Sequence, residues 1–151
     1  MNDLNLTLRQ APQARTARGQ TDRRARLAVI LVNWNRHADT IECLESLLRA
    51  EEKVRIVVVD NGSTDGTAER LQAWASGAEA YEPPHGPLRR LTNPPLAKPV
   101  NLRVVTPDSL DEAKPGDEDV VLLLAGENRG FSGGNNLGMR FALGDPAIAY
   151  C

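Results

Sequence analysis

The chain is poor in aromatic residues and cysteines. Aromatic residues make up 4% of its 151 residues, so any core must be built from aliphatic side chains. The two cysteines, Cys43 and Cys151, form neither a disulfide framework nor a metal-binding Cys-x-x-Cys pair. This cysteine usage fits a protein of the reducing cytoplasm.

Two further features are missing: an excess of one charge, and a long apolar run. A net charge of −2 gives no general attraction to nucleic acid, so no nucleic-acid partner is expected. The longest apolar runs are residues 27–32 and 120–125, whereas a transmembrane helix needs ~20 apolar residues. No transmembrane segment is therefore predicted. With 41% hydrophobic residues, the chain can still form the core of one domain.

Residues 1–26 differ in composition from the rest. They contain six arginines and two aspartates, a net charge of +4. We interpret them as a disordered basic tail, with contact to anionic lipid at the inner face of a membrane as the functional alternative.

The pattern from residue 27 onward alternates between strands and helices. Buried strands are predicted at residues 27–32, 55–60 and 119–125, where apolar and β-branched residues run without a break. A helix is predicted from Asp39, which forms a capping-box pattern with Glu42, to about Ala50. Two more helices carry Leu71 with Trp74, and Leu137 with Phe141. This order predicts an α/β fold with a parallel sheet.

A proline-rich insertion interrupts this order at residues 76–118, which hold eight of the ten prolines. One short strand is predicted there, at residues 102–105. The remainder is expected to be a long surface excursion, either an ordered flap or a mobile loop.

Polar residues follow each predicted strand. Ligands of open parallel sheets bind at the carboxyl ends of the strands, where these residues should meet. Asn33, Trp34 and Asn35 could bind and stack on a base, and Asp60 could accept from a base or a ribose. Glycines within residues 128–136 could let a phosphate approach the backbone.

Each of these residues also has a purely structural interpretation. Asp60 could cap a helix or close an Asx turn, Gly62 could serve a turn, and Trp34 could be ordinary packing. The glycines do not form a Gly-x-Gly-x-x-Gly fingerprint or a P-loop. His37 and His85 have no partner at metal-binding spacing.

Three segments together resemble a known family. Val-Asn-Trp-Asn (32–35), Val-Asp-Asn-Gly-Ser-Thr-Asp-Gly (59–66) and Glu-Asn-Arg-Gly-Phe-Ser-Gly-Gly-Asn-Asn-Leu-Gly (127–138) resemble, in order, motifs of family 2 glycosyltransferases. The resemblance is strongest to the rhamnosyltransferase-like branch and covers residues 27 to about 150. It implies the N-terminal half of a Rossmann-like GT-A sheet, in a unit spanning residues 27–151.

The resemblance also implies a ligand and its site. The donor would be a nucleotide diphosphate sugar of the UDP, dTDP or GDP type, and the acceptor a glycan or a lipid-linked molecule. The residues expected to bind the donor are Asn33, Trp34, Asn35, Asp60, Asn61, Gly62, Asn128, Arg129, Gly130 and Asn135.

The sequence departs from the family where metal and acceptor should bind. Family members continue into a strand ending in Asp-x-Asp, which holds Mg²⁺ or Mn²⁺ on the diphosphate. The chain is expected to stop short of that strand, to hold no metal or catalytic residue itself, and to be inactive alone. Asp117 and Asp119 fit the pattern formally but precede a strand, at the opposite edge of the sheet.

Two other functions remain open from the sequence. One is a non-catalytic nucleotide-binding module built on the same half sheet. The other is a Rossmann-type NAD-binding protein, which the absent glycine fingerprint disfavours.

Overall fold

The computed structural model describes residues 27–151, and the predicted basic tail, residues 1–26, lies outside this range. Residues 27–151 contain four strands and three α-helices, interspersed with two short 3-10 helices, Pro87–Leu91 and Pro107–Ser109. The strands are β1 (Leu27–Asn33), β2 (Val54–Asp60), β3 (Leu102–Val105) and β4 (Val120–Leu124). The helices are α1 (His37–Leu47), α2 (Thr67–Ser76) and α3 (Gly130–Ala142).

The strands form one sheet in the order β1-β2-β4-β3, and all three pairings are parallel. The predicted α/β fold with a parallel sheet is thereby confirmed, consistent with part of a Rossmann-like GT-A domain. The last predicted strand is the fourth in the chain, because the short strand of the insertion, β3, precedes it and pairs with its outer edge.

Helices cover both faces of the sheet, which explains the unbroken apolar strands. On one face, α1 and α2 pack Leu44, Leu71 and Trp74 against alternate residues of β2 and β4. On the other face, Leu137 and Phe141 of α3 pack against the residues in between. Within residues 27–151, no helix combines the length and the apolar character needed to span a bilayer.

The predicted capping box of α1 is wrong. The helix begins at His37, two residues before Asp39, and no side chain caps it. Asp39 instead lies in the first turn, where it accepts a hydrogen bond from Arg36 Nε at 2.6 Å. The reason is tertiary: Asn35 turns the chain with a φ of 54°, which brings His37 into helical position before Asp39 is reached.

The proline-rich insertion is fastened to α1 and α2 by one buried carboxylate. Glu45 of α1 accepts hydrogen bonds from Trp74 Nε1 at 2.9 Å, the Leu96 N–H at 2.8 Å and Lys98 Nζ at 3.0 Å. Lys98 Nζ also lies 3.6 Å from the centre of the Trp74 ring. Burial alone would raise the pKa of Glu45, but these hydrogen bonds outweigh it and lower the pKa.

Candidate nucleotide site at the carboxyl edge of the sheet

The last residues of β1 and β2 are strand partners at the carboxyl edge. Asn33 pairs with Asp60, and Asp60 pairs in turn with Leu124 of β4. The backbone bonds continue past the strands, since the Asn61 N–H donates to Asn33 O at 2.8 Å. Two of the three predicted segments are therefore in direct contact, as expected for parallel strands.

The side chain of Asn33 is enclosed by hydroxyl groups. It is 2% exposed, and the hydroxyl oxygens of Thr40, Ser63 and Thr67 lie 2.8, 3.1 and 3.3 Å from its amide atoms. With the amide nitrogen directed toward Thr40, it also donates to Arg36 O at 3.0 Å. These contacts occupy the polar atoms of Asn33, so its role in the site is to hold α1 and α2 against the strand ends.

Asn35 connects the loop after β1 to the loop after β2. Its N–H donates to Ser63 Oγ at 2.9 Å, and its Oδ1 accepts from the Thr64 N–H at 2.8 Å. Next to this contact, His37 Nδ1 lies 3.3 Å from Asp65 Oδ2. The hydrogen bond from the Thr67 hydroxyl is the main cause of the lowered pKa of Asp65. Hydrogen bonds thus join the two loops into one continuous surface.

Asp60 has one oxygen engaged and one without a partner. Its Oδ1 accepts from the Ser63 N–H at 3.2 Å, which is the turn-closing role that the sequence allowed. No hydrogen bond to Oδ2 occurs within residues 27–151, and the residue is 7% exposed. Oδ2 is therefore able to accept from a ligand.

Asn61 attaches the glycine-rich loop to the end of β2. Its Nδ2 donates to Asn128 Oδ1 at 3.1 Å and to Gly130 O at 3.2 Å, while its Oδ1 accepts from the Arg129 N–H at 3.0 Å. Both polar atoms of its side chain are occupied by this loop. The side chain of Asn61 therefore holds the glycine-rich loop in position and does not bind a ligand.

Gly62 is required by close packing of two backbones. Its φ is +77°, and a Cβ at this position would lie 2.7 Å from both the Asn128 nitrogen and the Glu127 carbonyl carbon. No larger residue fits without displacing the loop. Gly62 thus serves the turn, which was the structural interpretation of this residue.

The glycines of α3 have two different roles. A Cβ on Gly134 would lie 2.8 Å from Val32 Cγ1, and one on Gly138 would lie 2.5 Å from Ile30 Cγ2. These glycines let the helix pack closely on β1. Gly134 therefore does not open the backbone to a phosphate, contrary to the prediction. Gly130, with a φ of +68°, has open space around it, while its N–H donates to Asn128 Oδ1 at 2.8 Å and its carbonyl accepts from Asn61 Nδ2.

A groove of about 620 Å³ runs along β1 to the carboxyl edge. Five of the ten predicted site residues line it: Asn33, Trp34, Asn61, Asn128 and Gly130. The other five lie outside its lining: Asn35, Asp60, Gly62, Arg129 and Asn135. Trp34 is 56% exposed, so it is not the packing residue that its alternative interpretation required.

Arg129 and Asn135 lie on either side of the start of α3. The Arg129 guanidinium is 3.6 Å from the Glu127 carboxylate at an exposed position. Asn135 Nδ2 donates to Phe131 O at 2.9 Å within the helix. Phe131, which lines the groove, is a residue that the sequence reasoning missed, although it stands inside the third recognised motif.

The acidic residues 117–119 belong to the opposite edge of the sheet, before β4. Glu118 accepts from Arg103 Nη1 and from the Gly116 N–H, at 2.9 and 2.8 Å. Burial would raise the pKa of Glu118, but these bonds outweigh it and lower the pKa. Residues 27–151 contain no group of three His, Cys, Asp or Glu side chains that could hold a metal ion.

Comparison with known proteins gives one match, and it covers the first two strands and helices. A family model described as glycosyl transferase family 2 matches residues 28–93, a range that contains β1, α1, β2 and α2. The match includes the loops of Trp34 and Asp60 but ends before the glycine-rich loop. No curated protein and no solved structure matches the chain. Residues 28–93 are accordingly similar to part of a glycosyl transferase family 2 domain.

Proposed function

We propose that the carboxyl-edge site binds the nucleotide diphosphate sugar donor of an inverting glycosyltransferase. In its complete form this enzyme would transfer a hexose or deoxyhexose to a glycan or lipid-linked acceptor. The deoxyhexose alternative corresponds to the rhamnosyltransferase-like branch that the sequence motifs resemble. The cytoplasm is the proposed location, in keeping with two free thiols in the chain.

The observation that carries the proposal is the groove itself. It joins Trp34, from the family 2 match, to Asn128 and Gly130, from a loop that this match does not reach. Pockets for small ligands combine aromatic walls with a few well-placed polar groups. Asp60 adds a carboxylate beside this groove, directly paired with Asn33 and followed by the groove residue Asn61.

We assign the ligand groups according to the chemistry available. The exposed indole of Trp34 stacks on the base, and Asp60 Oδ2 accepts an N–H of the base or a ribose hydroxyl. The first turn of α3, which begins at Gly130, faces the diphosphate, because the N–H groups at a helix start have no partner within the helix. Asn33, Asn61 and Gly62 hold these elements in place through the contacts described above.

The family implies a divalent metal, Mg²⁺ or Mn²⁺, on the donor diphosphate. The described residues do not fit such an ion, because Glu118 is committed to Arg103 and Asp119 Oδ2 to the Asn101 N–H at 3.4 Å. No step of the transfer is assigned to a metal held by residues 27–151, and none of these residues is assigned as the catalytic base.

Calorimetric titration of the full chain with UDP, dTDP, GDP and NAD tests the proposal. Saturable binding of at least one nucleoside diphosphate, with NAD bound more weakly, is the expected result. Preference for NAD would favour a Rossmann-type protein. Binding without turnover in the complete enzyme would favour a non-catalytic module.

A pair of carboxylate variants makes the test specific. Asp60→Asn keeps an oxygen for the Ser63 N–H but removes the charge, so nucleotide affinity should fall by about 1–3 kcal/mol. Asp119→Asn makes the same chemical change at the opposite edge and should leave affinity unchanged. Equal affinities for both variants and the parent would remove Asp60 from the site.

A further inference from the structure

We propose that Phe131 forms the second aromatic wall of the base site, so that the nucleobase lies between Phe131 and Trp34. This inference rests on the proposed function, because it concerns the same groove. The residue's exposure, its place on α3 and the rigidity of its surroundings support it.

Phe131 has no packing role in the described part of the chain. Its side chain is 77% exposed, more than any of the other large apolar side chains on the surface there. It belongs to neither hydrophobic cluster of the sheet. Single exposed apolar residues are common on protein surfaces, so exposure alone identifies no function. What distinguishes Phe131 is that it shares a groove with Trp34.

The position of Phe131 on α3 explains how it reaches the carboxyl edge. Phe131, Gly134 and Gly138 are spaced three and four residues apart, so they share one face of the helix. Gly134 and Gly138 rest on Val32 and Ile30 of β1. Phe131 lies one turn nearer the helix start, where the same face extends beyond the end of this strand. This position accounts for Phe131 lining the same groove as Trp34.

The two aromatic residues approach the groove from opposite faces of the sheet. Trp34 leads into α1, which packs on one face, whereas Phe131 begins α3, which packs on the other. Side chains that rise on both sides of a strand end form two walls with a slot between them. A planar ring with two π faces is the ligand group that such a slot accepts.

The backbone beneath Phe131 is held in place before any ligand arrives. Asn61 Nδ2 donates to the carbonyl of Gly130, and Asn135 Nδ2 donates to the carbonyl of Phe131 itself. The close contact of Gly134 with Val32 fixes the following turn. A backbone that is already fixed does not have to be ordered when a ligand binds, which favours a binding role for the side chain that it carries.

The test compares Phe131→Ala with the parent chain on three ligands. These are the best-bound nucleoside diphosphate among UDP, dTDP and GDP, its nucleotide sugar, and ribose 5-phosphate, which has no base. Loss of one stacking wall should weaken the first two ligands by the same factor, about fivefold or more. Binding of ribose 5-phosphate should not change.

Three further variants control this comparison. Phe131→Tyr keeps the π face and should restore affinity to within about twofold, whereas Phe131→Leu keeps apolar bulk alone and should not. Tyr150→Ala removes an aromatic side chain that is 67% exposed but does not line the groove, and should have no effect.

The outcomes separate this inference from the function on which it rests. A loss confined to the nucleotide sugar would mean that Phe131 contacts the sugar, and unchanged affinity would mean that it contacts nothing. Either result overturns the proposal that Phe131 contacts the base, and leaves the proposed nucleotide binding intact. If the parent chain binds none of the three nucleotides, the proposed function itself fails, and the base wall with it.

Discussion

The side chain of Asn61 joins two parts of the chain that are 68 residues apart, because its Oδ1 accepts the Arg129 N–H at 3.0 Å. The same amide donates to Asn128 and Gly130 on that loop. The start of α3 is thereby tied to the end of β2, and the shape of the proposed donor site depends on this contact.

Replacing Asn61 by alanine should therefore loosen the glycine-rich loop. The residue is 3% exposed, and its loss leaves the Arg129 N–H and the Gly130 carbonyl without this partner, so unfolding free energy should fall by about 1–3 kcal/mol. Thermal unfolding measures this loss, and nucleotide affinity should fall as well. Asn61→Asp can still accept from the Arg129 N–H but sets a carboxylate oxygen against the Gly130 carbonyl, so it should not restore the stability of the parent. An unchanged melting temperature for Asn61→Ala would contradict this role.

Gly62→Ala should destabilise the chain through steric contact. The added Cβ would stand 2.7 Å from two backbone atoms of the 127–128 segment, at a φ of +77° that alanine rarely adopts. We expect a loss of more than about 1 kcal/mol, measured by urea denaturation. Gly66→Ala is the control, since its φ of +79° is nearly the same but the nearest atom to an added Cβ is Glu69 Oε2 at 3.9 Å. Equal losses for both variants would assign the effect to φ alone.

The sequence predicted the sheet well because its central strands are buried on both faces. β2 and β4 are covered on both faces, so they occur as short apolar runs, and their length and β-branched residues distinguish them from helices. β3 was predicted as a strand, but its place beside β4 was not, because a four-residue strand carries no pairing information. The start of α1 was misplaced because the turn at Asn35, held by Ser63 and Thr64, decides it.

The site was predictable in location but only partly in detail. Parallel strands bring their carboxyl ends together, which placed Asn33 and Asp60 side by side. The roles of Asn61 and Gly62 depend on the backbone of residues 127–130, and that contact spans more than sixty residues of sequence. Local patterns cannot show such a contact. Phe131 was missed for a similar reason, since its exposure follows from how α3 sits on β1.

Stability should depend on pH through Glu45. Its pKa is lowered in the folded chain from 4.5, so the ionised form stabilises the fold at pH values above that number. This contribution should disappear as the pH falls through 4.5 and then through the lower folded pKa. Thermal unfolding of the parent between pH 7 and pH 3 should show this decline. The melting temperature of Glu45→Gln should decline less over the same range. An identical decline in the parent and the variant would contradict the role of Glu45.

Glu45→Ala should lower the free energy of unfolding more than Glu45→Gln does. Glu45→Ala leaves Lys98, Trp74 and the Leu96 N–H without their shared acceptor, and we expect a loss of about 3–5 kcal/mol. Glu69→Ala is the comparison, because this acidic residue is exposed on α2. It should change unfolding free energy by no more than about 0.5 kcal/mol.

The two tryptophans report separately on the site and on the core. Trp34 is 56% exposed at the groove, whereas Trp74 is 1% exposed beneath Lys98. Acrylamide should quench Trp34 readily and Trp74 hardly at all. A bound nucleoside diphosphate that stacks on Trp34 should shield it, so the quenching constant of the parent should fall on saturation.

Single-tryptophan variants assign this signal to one residue. Trp34→Phe, which retains only Trp74, should be nearly insensitive to acrylamide with or without nucleotide. Trp74→Phe, which retains Trp34, should show the full protection, provided that circular dichroism confirms its fold. Nucleotide binding by calorimetry without any change in Trp34 quenching would place the base away from this indole, and the aromatic part of the proposed site would then have to be abandoned.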